Sequence, residues 1–313
     1  MAAETLHQDA RHRIALFRGA GDGRLAVVSF EHGRGEAMRG FAPPSCPRFA
    51  QRLGIDALVV QTARRDWFLS PKSAMLAQAL TRATASYAEV TATGFSMGGY
   101  AALLYSAACR ARRVMAVSPQ YSIDPAVAPF DPARHGKFAR IGQPMPTPES
   151  RGDTGIGGLL IYDPSITADR AHAALIHAGF PGLTAVALPH GGHPATSLVG
   201  EAGGVGRLAE MVVRDRIDVP AIRHMHRAAR RGSASYRLRL AEAALPRHPE
   251  RAARELHALA AQGPARLGVE AALLLLEQGD DSAETRLHAL LETAPQIPPG
   301  LLRRLQRALD CRA

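Results

Sequence analysis

The chain has 313 residues, 46% of them hydrophobic and 5% aromatic, with a formal net charge of +10. This is enough for one large domain or two with ample core. No segment approaches about 18 uninterrupted apolar residues, which excludes a membrane-spanning helix, and Met1 to Asp9 lacks the basic-then-apolar order of a secretory signal. The positive charge is nearly all arginine, with Lys72 and Lys137 as the two lysines; the arginines are scattered without interleaved aromatics, which argues against nucleic acid as a partner.

In chain order, Arg13 to Arg18 is a short apolar run ended by a Gly-rich turn, and reads as an edge strand. Leu25 to Phe30 is continuously apolar and β-branched, the pattern of a strand buried on both faces in a parallel sheet. Ala57 to Thr62 repeats that pattern. Pro71 to Ala85 reads as a helix, with Ser70 as cap and Pro71 in the first turn. Val90 to Phe95 is a strand, Ser96 stands at an abrupt turn, and an Ala/Leu-rich helix follows. Arg113 to Ser118 is a further strand. Residues 120–157 are rich in Pro and Gly and read as a long loop or a partly helical cap. Gly158 to Tyr162 is a strand, Thr167 caps a helix through Ala178, and Thr184 to Leu188 is the last strand. A short helix near 195–200 and a Gly-rich break at 203–206 end this unit, placed at residues 1–204. Strands alternating with helices predict an α/β class, doubly wound and mostly parallel, with ligands at the carboxyl ends of the strands.

Residues 205–313 change character. They hold Ala/Leu/Arg/Glu stretches punctuated by Pro and Gly and predict an all-α region. Glu242-Ala243-Ala244-Leu245 with Leu256-His257-Ala258-Leu259 is echoed by Glu270-Ala271-Ala272-Leu273 with Leu287-His288-Ala289-Leu290, at offsets of 28 and 31 residues. That loosely resembles helix-hairpin repeats of the tetratricopeptide class, and leaves equal room for an Ala/Leu-rich bundle. Cys46, Cys109 and Cys311 are odd in number and form no C-x-x-C, which suggests neither a disulfide framework nor a zinc site. Cys109 reads as a small buried residue, and a reducing, cytoplasmic compartment is expected.

Gly94-Phe95-Ser96-Met97-Gly98 is a G-x-S-x-G elbow in its required context, strand before and helix after. A serine hydroxyl needs a base to remove its proton, usually a histidine held by a carboxylate. Asp163 ends its strand directly, whereas Asp169 in the following first helical turn is accounted for by the helix dipole; Asp163 is the favoured acid. His190 and His193 both follow the last strand, and the Gly191-Gly192 hinge favours His193 as the base. The backbone N–H of Met97 is one oxyanion donor, and Phe30 or Glu31, in the loop running to Gly33, supplies the second. Trp67, Phe68, Gln120 and Tyr121 lie at strand ends and are candidates to line a substrate pocket. Arg34, Arg64 and Arg65 lie nearby and read as solvated loop charges, with an anionic substrate as the other reading.

The run Gly94 to Gly99, the strand-end Asp163 and the loop His193 resemble the α/β-hydrolase superfamily over residues 12–205. The resemblance implies a serine-nucleophile mechanism through an acyl-enzyme, with no metal and no organic cofactor, and places 120–157 where the family carries its lid. The early loop departs from the His-Gly-Gly-Gly form of some lipases, and the helical tail is no part of the common fold. The expected activity is hydrolysis of a carboxylic ester or thioester with a small-molecule or acyl substrate. Acyl transfer on the same residues, and a non-catalytic scaffold with a protein partner on the C-terminal helices, remain as alternatives.

Overall fold

The continuously apolar strands build one sheet. The computed structural model describes residues 3–33, 35, 37–293 and 299–310; Arg34 and Cys311 lie outside the described residues. The chain divides into two compact units, Met1–His226 and Arg227–Ala313.

The first unit holds β1 (Glu4–Gln8), β2 (His12–Phe17), β3 (Leu25–Phe30), α1 (Arg48–Leu53), β4 (Asp56–Thr62), α2 (Ser73–Thr84), β5 (Glu89–Phe95), α3 (Met97–Leu104), β6 (Arg113–Val117), α4 (Pro132–Ile141), β7 (Gly157–Tyr162), α5 (Thr167–Gly179), β8 (Leu183–Ala187), α6 (Ser197–Glu201) and α7 (Val205–Val213). The strand order is β1-β2-β4-β3-β5-β6-β7-β8. β2 is antiparallel to β1 and to β4, and the other pairs are parallel. Every residue of β4 is buried, as helices on both faces of a parallel sheet require. One face packs Val28, Leu58, Val60, Ala92, Val114 and Leu160 with α2 and α3. The other packs Met115, Val117, Leu159 and Ile161 with Leu208 and Val212 of α7.

Several boundaries differ from the sequence expectations. β1 is polar and mostly exposed, so no apolar pattern announced it. α2 begins at Ser73 rather than at Pro71; Ser70 accepts from Lys72 N–H in the preceding turn, while the Ser73 hydroxyl accepts from Ser70 N–H. Residues 120–157 contain α4, whose Phe138 and Ile141 pack on the core, and a 3-10 turn at Pro148–Ser150. The first unit extends past the expected boundary at 204, because α7 presents its apolar face to the sheet and Ile222 of α8 (Val219–Arg230) joins the same cluster. Cys109 is fully buried, and burial pushes its thiol well above the ordinary range.

The second unit is helical: α9 (Ala234–Ala244), α10 (Pro249–Gln262), α11 (Ala265–Glu277), α12 (Ser282–Thr293) and α13 (Pro299–Asp310). α11 is its core helix, with Leu273 to Leu276 all buried. The two copies of the echoed segment fall differently, at the end of α9 and in the middle of α11. No helix among the described residues is long and apolar enough to cross a membrane.

His12 opens β2 and is fully buried, with neither ring nitrogen hydrogen-bonded among the described residues. Burial holds its imidazole down at about 4, against the opposing pull of Asp9. The unfolded chain therefore binds the extra proton first. The stability His12 confers is full above its unfolded value of about 6.5 and is lost as pH falls towards 4, at a cost of about 3 kcal/mol. His12→Leu is expected to gain roughly 2–3 kcal/mol on the native chain between pH 7 and pH 4.5. Urea midpoints at the two pH values check this; an unchanged difference would remove His12 as the cause.

Candidate active site

Ser96 joins β5 to α3 with φ 51° and ψ −120°, a backbone conformation L-residues rarely hold. The surrounding glycines make the turn sterically possible. A Cβ on Gly94 would lie 2.0 Å from the Gly98 carbonyl oxygen, and one on Gly98 would lie 2.4 Å from that of Phe30. Ser96 N–H donates to Val117 O at 2.9 Å, which ties the elbow to β6. Trp67, Phe68, Ser118 and His190 also have positive φ, between 44° and 58°. All lie just beyond the carboxyl ends of β4, β6 and β8, so strain collects at the sheet edge where Ser96 stands.

The Ser96 hydroxyl donates to His193 Nε2 at 2.9 Å. His193 Nδ1 stands 3.0 and 3.1 Å from the two carboxylate oxygens of Asp169. Arg134 Nη2 lies 3.3 Å from His193 Nε2. Guanidinium carries only donors, so Nε2 is the unprotonated nitrogen and Nδ1–H faces Asp169, a tautomer assigned from the network.

The imidazole therefore meets Asp169, in the first turn of α5 and 3% exposed, and not Asp163, the carboxylate favoured from the sequence. The Asp163 carboxylate accepts from three backbone amides: Ser165 N–H at 2.8 Å, His190 N–H at 3.0 Å and Gly192 N–H at 2.8 Å. It fixes the loop that carries His193 without touching the imidazole. Ser118, which sequence reasoning missed, holds the far side of that loop by accepting from Ala195 N–H at 2.9 Å. His190 enters through its backbone, bonded to Asp163 and to the Ser165 hydroxyl.

Met97 opens α3, so its N–H has no carbonyl partner within the helix. The second donor expected at Phe30 or Glu31 needs correction. Phe30 lies inside the ladders with β4 and β5, and Glu31 N–H is engaged by Val60 O at 3.0 Å. His32 is the first residue beyond the ladder and takes over as the candidate donor.

The expected pocket lining also divides. Phe68 is fully buried, its ring edge-on to Phe30 at 5.4 Å, and belongs to the core. Trp67 is 1% exposed and donates from its indole to Gln120 Oε1 at 3.2 Å. That bond turns the Gln120 amide so that Nε2 donates to Ser96 Oγ at 3.2 Å and to Ser118 O at 3.2 Å. Tyr121 is half-buried and donates its hydroxyl to Glu149; burial and that carboxylate raise its phenol.

A second buried pair went unread in the sequence. Tyr121 N–H donates to His172 Nδ1 at 3.2 Å, and His172 Nε2–H donates to Asp131 at 3.0 Å. Arg134 bonds the same Asp131 oxygen at 2.8 Å. Although burial opposes it, the hydrogen bond from His172 and the charge of Arg134 hold the Asp131 carboxyl below its ordinary value. Asp131 thus fixes the guanidinium that reaches His193. Asp163-Pro164 and the loop histidines drew attention in the sequence; nothing local marks a carboxylate at a helix cap as the anchor of an arginine.

No family model matches the chain, and no curated protein matches its sequence. Solved structures similar to it include Est1E from Butyrivibrio proteoclasticus, at 15% identity over 67% of this chain and 99% of that one, TM-score 0.44. An esterase of Pyrobaculum calidifontis is 16% identical over 69% and 85%, TM-score 0.48. The capsule O-acetyltransferase of Neisseria meningitidis serogroup A is 11% identical over 62% and 90%, TM-score 0.45. With its strand order, its antiparallel β2 and its strand–elbow–helix at Ser96, the first unit has the α/β-hydrolase fold.

Proposed function

We propose that the chain is a serine hydrolase that cleaves a carboxylic ester or thioester through an acyl-enzyme on Ser96. The observation that carries this reading is the continuous hydrogen-bonded line from Ser96 Oγ through His193 to Asp169. His193 Nε2 takes the hydroxyl proton as Ser96 attacks the acyl carbon, and Asp169 stabilises the imidazolium that forms. The tetrahedral oxyanion is met by Met97 N–H and by the amide at His32, in the field of the α3 N-terminus. His193 then gives its proton to the leaving alcohol or thiol, and a water activated by the same imidazole resolves the acyl-enzyme.

Gln120 is a positioning residue in this scheme. Its Nε2–H donates to Ser96 Oγ and leaves the serine proton directed at His193. Losing one such bond is worth about 1–1.5 kcal/mol, so Gln120→Ala is expected to lower kcat about tenfold on a p-nitrophenyl ester. A kcat within twofold of the native value would remove Gln120 from the alignment of the nucleophile. Activity on short p-nitrophenyl esters and acetyl thioesters, compared with Ser96→Ala, tests the reading itself. Partition of products with added alcohol decides whether water or an alcohol resolves the acyl-enzyme.

A further inference from the structure

A cavity of about 140 Å³ lies beyond the carboxyl end of β4. Its lining includes six cationic side chains: Arg11, Arg39, Arg64, Arg65, Lys137 and Arg140. Among the described residues lining it, Asp66 is the one acid. Its Oδ1 accepts from the Thr62 hydroxyl at 2.7 Å and from Phe68 N–H at 3.2 Å, and its Oδ2 lies 3.7 Å from Arg11, offsetting one of the six cations. Burial pushes it up to about 6, which makes it easier to neutralise than an ordinary carboxylate.

The cavity adjoins the candidate active site through two elements. Arg65 lies over Gly33, where a Cβ would meet its Nε at 2.9 Å, and its guanidinium is 5.9 Å from the Trp67 ring. Trp67 holds Gln120, and Gln120 holds Ser96. On the other side, α4 carries Arg134 at His193 and then Lys137 and Arg140 at the cavity. Six residues of helix span about 9 Å. A row of cations therefore runs from the reacting serine to the cavity, the distance a leaving group has to bridge.

Resting on the hydrolase reading, we propose that this cavity is a subsite for a phosphate-bearing leaving group, so that the substrate is an acyl ester or thioester of a phosphorylated alcohol or thiol. The lining carries six cations against one acid, an excess of positive charge that favours a polyanionic group over a neutral alkyl ester or a single carboxylate. Phosphate oxygens suit guanidinium forks, which bind them in pairs. Converging positive charge of this kind also raises the local concentration of an anionic substrate.

Trp67 is the only tryptophan in the chain, and its ring lies 5.9 Å from the guanidinium of Arg65 in the cavity lining, so its fluorescence reports on that arginine. Titration with inorganic pyrophosphate at constant ionic strength is expected to give a saturable change. The double variant Arg64→Glu, Arg140→Glu changes two exposed side chains and is expected to weaken that binding at least tenfold. A urea transition checks that this variant is folded. A flat titration, or equal affinity in the variant, would overturn the subsite whether or not the protein is an esterase. The second arm compares acetyl phosphopantetheine thioester and acetyl glycerol phosphate with their dephosphorylated forms. The phosphorylated form is expected to have at least tenfold higher kcat/KM, and the double variant to lose that preference; the series with the larger ratio identifies the leaving atom as sulfur or oxygen. Pyrophosphate binding without any phosphate preference in turnover would overturn the assignment to substrate. Absence of turnover on every ester would count against the hydrolase reading and leave the fluorescence result to decide the cavity.

Discussion

Asp169→Asn is expected to lower kcat by about 10⁴-fold, the size that follows when the imidazole is left in the wrong tautomer. The asparagine amide turns a donor towards Nδ1, which moves the proton to Nε2 and removes the lone pair that accepts from Ser96. Asp163→Asn should behave differently. Its carboxylate accepts from three backbone amides, and an asparagine has a single oxygen with which to answer them. The expected result is a loss of roughly 2–4 kcal/mol of stability and, in the folded fraction, a kcat reduced far less than in Asp169→Asn. Urea melts together with kcat measured well below each transition separate the two. A larger fall in kcat for Asp163→Asn than for Asp169→Asn would restore the acid that strand-end position suggested.

Gly98→Ala is expected to disable the elbow without touching a reacting side chain. The added Cβ would lie 2.4 Å from Phe30 O and 2.9 Å from Glu31 O. Those oxygens cannot move freely, because Phe30 is in the ladders with β4 and β5 and Glu31 N–H is bonded to Val60 O. The loop at His32 must then part from α3, widening the space between the Met97 amide and the second donor. Loss of one such donor costs about 10²–10³ in turnover, and the overpacking about 1–3 kcal/mol in stability. Steady-state kinetics on a p-nitrophenyl ester check the first and a urea midpoint the second. Activity within twofold of native would mean that the loop after β3 does not complete the oxyanion site.

These two cases mark what was legible in the sequence. The elbow was, because a strand, a strained turn and a helix are written in consecutive residues, and the glycines at 94 and 98 answer to contacts within that turn and the adjacent loop. Buried strands announced themselves through unbroken apolar runs, while β1 did not, being polar and exposed at the sheet edge. The carboxylate that meets His193 could not be read, since the choice between Asp163 and Asp169 depends on which of them the His193 loop saturates with its amides. Asp169 in a first helical turn has a local explanation that conceals its partner 24 residues away. Trp67 and Gln120 were read as pocket lining, whereas the indole–amide bond that joins them spans 53 residues and no local pattern announces it. The α4 cations were lost in a Pro- and Gly-rich segment whose helix is amphipathic only against a core that folding creates.

Labelling with a fluorophosphonate probe, followed by peptide mass spectrometry, tests the central claim most directly. The adduct is expected on Ser96 of the native chain, absent in Ser96→Ala, and strongly reduced in His193→Ala but not in His190→Ala. An unlabelled native protein, or an adduct that survives Ser96→Ala, would contradict a nucleophile at the elbow.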